Sequence, residues 1–245
     1  MEFLKIRRLL SRVRCAVDDY DMIADGDKIA VGISGGKDSL ALVSALSEMR
    51  RFYPKKYEVC GIMVDMGFEG CDYTPIVDFF SDAGIEEFRI VRTELAKIIF
   101  DVRKEPNPCS LCSRMRRGIL HQTAKGMGCN KLALGHHYDD VLDTFVMNLF
   151  NEGRLGTFSP VTYLDRRDIT VIRPLILTPE KDILYFVRHN DIPVIKSPCP
   201  EDKHTDREKY KNLINELDRE NDGLKHRIFK AIQKAGLDGY KNGHS

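Results

Sequence analysis

Cys109 and Cys112, in "NPCSLC" at 107–112, have the spacing of half a metal site. At i and i+3 they share one face of a helical turn, and Pro108 suits a helix start. A thiol at a helix N-terminus gives up its proton more readily, which favours the thiolate that metals bind. Arg114, Arg116 and Arg117 follow within two turns, and any that faces the pair is expected to lower it further. A closed zinc site needs four ligands, yet no second Cys-x-x-Cys pair follows. Cys15 falls in a basic segment and Cys71 in a loop, while Cys60 and Cys129 read as small core residues. Cys199 differs, because "SPCPED" holds it in a rigid loop between prolines. A zinc set completed by His121 or His204 is an alternative use of the three thiols.

Two further stretches could do chemistry. "SGGKDS", Ser34–Ser39, follows an apolar run and opens a helical pattern. Gly35 and Gly36 let the backbone turn tightly and approach an anion. The N–H groups at the helix start favour phosphate, Lys37 adds a point charge, and Ser34 and Ser39 add hydroxyls. This is neither G-x-x-x-x-G-K-[ST] nor G-x-G-x-x-G. A plain strand–turn–helix bend would also use two glycines, but not this set of neighbours. "GHHYDD", 135–140, puts Asp139 and Asp140 in the first turn of another helix. Two carboxylates beside a phosphate loop could hold Mg²⁺; simple N-capping would account for one of them. His136 and His137 suit a nucleotide contact or an ordinary loop equally.

These residues must be brought together by the elements between them. Residues 2–23 read as a basic amphipathic helix, with Phe3, Ile6, Leu9, Leu10, Val13 and Val17 at helical spacing. Its basic face, Lys5, Arg7, Arg8, Arg12 and Arg14, is either a solvated face or a set of phosphate contacts. Strands are expected at 28–34, 57–68, 86–93, 131–134 and 169–177, with helices between them. Thr178 and Pro179 predict an N-cap and N1 for a helix over 180–190. Residues 201–245, charged with both signs mixed, read as two more helices. Strands alternating with helices predict a five-stranded parallel sheet with helices on both faces. Its ligand belongs beyond the carboxyl ends of the strands, and there the informative residues cluster. The expected organisation is a helical segment 1–26, an α/β domain 27–200 and a helical extension 201–245.

Bulk properties exclude little. The 245 residues are 42% hydrophobic and carry a net charge of +1, so only local clustering could recruit nucleic acid. The first fourteen residues break their short apolar pieces with charge, and no stretch approaches the ~18 apolar residues of a membrane span. Seven cysteines without a secretory signal suggest a reducing, cytoplasmic setting.

"SGGKDS" resembles the pyrophosphate loop of the N-type ATP pyrophosphatases, which cleave ATP between the α and β phosphates and leave AMP on a substrate oxygen. The resemblance implies that Ser34, Gly35, Gly36, Lys37, Asp38 and Ser39 cradle the pyrophosphate. It also implies that Val64 and Asp65 edge the adenine or ribose. Gly135, His136, Asp139 and Asp140 match the Gly-His-x-x-Asp-Asp element of the same enzymes. With "PCSLCSRMRRGIL" and "VIRPL" added in order, residues 27–200 are similar to the tRNA 2-thiocytidine synthetase (TtcA) family. In that family cysteines in these places hold an oxygen-sensitive 4Fe-4S cluster. The resemblance therefore implies iron ligation by Cys109, Cys112 and Cys199, one iron left open for the transferred sulfur, and ATP with Mg²⁺. Lys37, Asp65, Arg116 and Asp140 become the candidate catalytic residues. The implied partners are tRNA and a sulfur donor, a cysteine desulfurase or free sulfide, with a homodimer admitted and no membrane. Well-known members carry a second Cys-x-x-Cys where this chain has "CPED", so the resemblance supports Cys199 less directly than the other two. The terminal zinc-finger clusters of related 2-thiouridine enzymes have no counterpart here, which favours the thiocytidine branch. Another tRNA base, a small-molecule acceptor, or a non-catalytic RNA- or cluster-binding role are the rival functions.

Overall fold

The computed structural model describes residues 3–85, 87–104, 108–196, 198–201 and 206–241. In chain order the elements are α1 (Arg7–Asp19), β1 (Asp27–Ile33), α2 (Lys37–Met49), β2 (Tyr57–Asp65), α3 (Thr74–Asp82) and β3 (Phe88–Arg92). A π-helical turn (Lys97–Val102) precedes α4 (Pro108–Gly126) and β4 (Lys131–Ala133). Then come α5 (Tyr138–Glu152), β5 (Val161–Leu164), β6 (Ile169–Ile172), α6 (Glu180–His189), α7 (Asp206–Glu220) and α8 (Leu224–Lys234).

The strands form one sheet in the order β3-β2-β1-β4-β6-β5. It has six strands, not the five expected, and it is mixed: β5 runs antiparallel to β6, while every other pair is parallel. β5 is a four-residue edge strand with no fully buried position, so its apolar pattern is faint. Its pairing comes from a tight hairpin through Asp165–Arg167 and Asp168, whose φ of 47° lies in the left-handed region. β6 ends at Ile172, well short of 177, because Pro174 cannot extend the ladder.

Alternate residues of the central strands face opposite layers, as a pleat requires. Ile29, Val31 and Ile33 of β1 join Val59 and Met63 of β2 in the larger core, beneath α1, α2, α3, α5 and α6. Ala30, Cys60, Ile62, Val64 and Leu132 face the smaller core, under α4 and the π-helical turn. Helices thus cover both faces. The chain leaves β1 for β2 on one side and returns to β4 on the other, so the sheet's switch point lies between β1 and β4. The Ser34–Ser39 loop and the 135–137 turn both leave the sheet there, as ligand loops do in open α/β sheets.

α1 is shorter than 2–23 and buries Leu9, Val13, Ala16 and Val17. α7 and α8 are packed into the larger core through Tyr210, Ile214, Phe229 and Ile232, with Tyr240 following. Among the described residues no helix is long and apolar enough to cross a membrane.

Candidate functional site

The glycine loop is held by its own hydroxyls. Ser39 Oγ accepts from Ser34 N at 3.2 Å and donates to the Gly36 carbonyl at 2.9 Å, while Gly36 N donates to Ser34 Oγ at 3.2 Å. Gly35 has a φ of +80°, which a side chain would strain. Gly36 caps α2 with no side chain on the N–H groups of the first turn, so these remain available to an anion. Gly135 lies behind the loop. A Cβ there would come within 3.1 Å of the backbone at Asp38 and Ser39, so glycine is what lets the two turns pack together. Lys37 Nζ bonds both oxygens of Asp38, at 3.0 and 2.9 Å, and Glu180 at 3.0 Å. Burial alone would lower its pKa, but Asp38 and Glu180 outweigh burial and raise it.

Asp139 and Asp140 have separate fates. Asp139 Oδ2 accepts from the N–H of Glu180 at 2.8 Å and Oδ1 pairs with Lys225 at 2.7 Å. It therefore closes the start of α6 and ties α8 to α5. That replaces the expected Thr178 cap: α6 starts at Glu180 after Pro179, and Thr178 Oγ1 is buried without a partner. Asp140 accepts from the His137 N–H at 2.9 Å and faces Arg207 at 3.8 Å. Burial would raise its pKa, but His137, His136, that N–H and Arg207 hold it below the usual carboxylate range. His137 Nε2 lies 3.7 Å from Asp38 and 3.6 Å from Asp140, bridging the two loops. His136 packs on Phe158, ring centroids 4.8 Å apart, and its Nδ1 is buried without a partner. Burial brings its pKa down to about 4, so it is neutral at pH 7.

A cavity of about 500 Å³ opens beside the loop. Ser34, Gly36, Lys37 and Asp38 line one wall; Cys109, Cys112, Arg116 and Cys199 line another. Met63, Val64, Phe68 and Phe100 supply apolar surface. Cys199 arrives because the segment before it is pinned to the glycine loop: Ile195 N donates to the Gly35 carbonyl at 2.9 Å. The thiols of Cys109 and Cys112 are both raised, contrary to the lowering expected at a helix start. Burial dominates at each. Cys199, Glu201 and Cys112 add to it at Cys109, while Arg116 opposes it at Cys112. Arg116 Nε is buried with no hydrogen-bond partner, on the cavity wall.

None of the described cysteines forms a disulfide. Three thiols on one wall could hold a thiophilic group. Among the described residues, however, no three His, Cys, Asp or Glu side chains are close enough to share one metal ion. Tetrahedral zinc would need sulfurs about 3.8 Å apart, from a Zn–S bond of about 2.3 Å. His121 faces Arg117 and Arg167 and does not line this cavity; His204 lies outside the described residues.

Val64 reaches the cavity, whereas Asp65 accepts from Gly67 N at 2.9 Å and Tyr73 Oη at 3.0 Å and shapes the β2–α3 turn. Sequence reasoning missed Glu180 of α6, which pairs with Lys37, and two cations of α7, Arg207 facing Asp140 and Lys211 pairing with Glu180. It also missed Cys71 on the cavity wall. Glu180 was visible only as a first-turn acid of α6, and nothing in the sequence points α7 at the loop.

The chain matches the PP-loop domain family over residues 7–217. It is similar to the tRNA-cytidine(32) 2-sulfurtransferase of Geobacter sulfurreducens, 37% identical over 238 residues, covering 95% of this chain and 92% of that protein. The protein of the same name from Geotalea daltonii is 39% identical over 229 residues, covering 92% and 90%. Among solved structures, the U34-tRNA thiolase NcsA from Methanococcus maripaludis, with its 4Fe-4S cluster, superposes with a TM-score of 0.75 at 28% identity. It covers 93% of this chain and 78% of that one.

Proposed function

Because the chain belongs to the PP-loop family, among the tRNA-cytidine(32) 2-sulfurtransferases, we propose that it uses ATP to adenylate a tRNA cytidine and replaces the activated oxygen with sulfur, giving 2-thiocytidine. The observation that carries this reading is the shared cavity, phosphate loop on one wall and three cysteines on the other.

The oxygen of a base is a poor leaving group. Its attack on the α-phosphorus of ATP expels pyrophosphate and leaves AMP on that oxygen; sulfide then displaces AMP. The α2 N-terminus and Lys37 stabilise the charge that builds on departing pyrophosphate. Mg²⁺ needs only one or two carboxylates when phosphates supply other ligands. Asp140, whose Oδ1 meets only the Arg207 guanidinium among the described residues, at 3.8 Å, suits that role; Asp139, with both oxygens engaged, does not. Cys109, Cys112 and Cys199 would hold a 4Fe-4S cluster, a group that thiolates ligate and that does not require three sulfurs around one ion. When bound it supplies a place for the sulfur to be transferred. Arg116, beside Cys112 and open to the cavity, offers positive charge to the adenylate or to an RNA phosphate. The apolar wall keeps water from hydrolysing the adenylate.

A base extruded from a loop is the usual object of RNA readout. The exposed basic residues of α1 and Arg114 and Arg117 of α4 supply phosphate contacts. The sulfur comes as free sulfide, or from a cysteine desulfurase together with a two-electron thiol reductant that brings its persulfide sulfur to the sulfide level; the setting is the cytoplasm, and the proposal admits a homodimer.

Anaerobic protein should contain about four irons per chain, as a cubane cluster requires. It should convert ATP to AMP only with tRNA, and Lys37→Ala should lower this by at least about a hundredfold, the scale of losing a preorganised transition-state contact. Zinc without iron defeats the cluster assignment. Unchanged 2-thiocytidine in tRNA from a deletion strain defeats the choice of base.

A further inference from the structure

Lys37 has no spare ammonium contact in this structure. Its Nζ bonds both oxygens of Asp38 and one of Glu180, and a lysine ammonium has three donors. To reach a phosphate it must release at least one carboxylate. Glu180 is the one that comes from another element. Released alone, its carboxylate would be a half-buried anion beside an incoming triphosphate, a costly arrangement.

A second cation stands ready. Lys211 Nζ lies 3.1 Å from each oxygen of Glu180. Arg207, one turn earlier on the same face of α7, points at Asp140. Burial opposes ionisation of Glu180, yet Lys37 and Lys211 together bring its pKa down to about 2, so it stays charged throughout. Glu180 is thus shared between two lysines, one in the phosphate loop and one in the C-terminal extension.

We propose that Lys211 is a positioning residue for ATP: it keeps Glu180 neutralised when Lys37 swings to the β–γ phosphate end, and so sets the cost of that exchange. This assigns a role to α7 and rests on the ATP-binding part of the function proposed above. Without Lys211, Glu180 grips Lys37 and repels phosphate. The defect should therefore vanish when Glu180 loses its charge.

The test is calorimetric binding of Mg-ATP, pyrophosphate and AMP to the full chain, without tRNA. Lys211→Met should weaken ATP and pyrophosphate about tenfold, roughly 1.4 kcal/mol, with AMP unchanged, and Lys211→Arg should restore them. In a Glu180→Gln background the same Lys211→Met change should cost less than about twofold. Should Lys211→Met fail to fold, Lys211→Gln serves in both backgrounds. Unchanged ATP affinity, or AMP weakened as much as ATP, overturns the proposal. So does a full tenfold loss in the Glu180→Gln background, since Lys211 would then act on phosphate directly. If the unsubstituted chain binds no ATP, the proposed function falls with it; if it binds and only the Lys211 pattern fails, this inference falls alone.

Discussion

Identical residue types diverge once their surroundings are fixed. Asp139, Asp140 and Asp143 lie within about one turn of α5, yet each does something different. Asp139 is a structural tie, Asp140 is held ionised, and Asp143 is buried and raised to about 7 by burial, then by Asp140 and Asp139. That shift has a sign. Folded Asp143 keeps a proton that the unfolded chain, with an aspartate pKa near ~3.9, has given up. Its contribution is therefore fully present below about pH 4 and is lost as pH rises to about 7. Urea titrations of Asp143→Asn should show a variant that gains on the parent across this window, by on the order of 4 kcal/mol at pH 8. A constant difference between pH 4 and 8 would refute the shift. The cysteines teach the converse. Their spacing on α4 was legible, but spacing carries no information on burial, and burial is what moves their thiols upward.

Elements with strong local signals formed where expected, while those defined by partners did not. β1 and β2 are long apolar runs buried on both sides. β5 exists through its hairpin with β6, and its half-exposed edge leaves little pattern to read. α6 forms where expected, but the residue that closes its start is Asp139, far off in sequence, and not the neighbouring Thr178. Cys199 depends on an element-scale contact of the same kind, the Ile195 N–H to Gly35 carbonyl bond. Ile195→Pro removes that donor, at a net cost of about 0.5–1.5 kcal/mol. Iron content per chain should fall several-fold, and ATP affinity with it, while the cooperative melt persists. A variant with full iron content would show that the tether does not place Cys199.

At the scale of the whole molecule, α7 and α8 are part of the core, and Lys211 of α7 meets Glu180 beside Lys37. Tyr210, Ile214, Phe229, Ile232 and Tyr240 are all buried in the larger cluster. Burying each such side chain contributes about 1.5–3 kcal/mol, so the five together rival the ~5–15 kcal/mol of a typical domain. A chain ending at residue 205 should lose its cooperative thermal transition and bind an apolar dye. A sharp transition in that fragment would mean the extension is an independent appendage. The mixed charge of 201–245 gave no hint of this, because the apolar residues are sparse and their partners lie far back in the chain.

Taken alone, the sequence determined the alternation of strands and helices, the glycine loop with Lys37 between β1 and α2, the Cys109–Cys112 pair and the family resemblance. All are encoded over short stretches, where residue type and spacing carry the physics directly. Only the tertiary structure decided that Asp139 braces α5 to α6 and α8, that Cys199 joins the other two thiols, and that Glu180 and Lys211 meet Lys37. Those outcomes depend on distances between residues separated by tens to more than a hundred positions, which packing sets and local pattern does not encode.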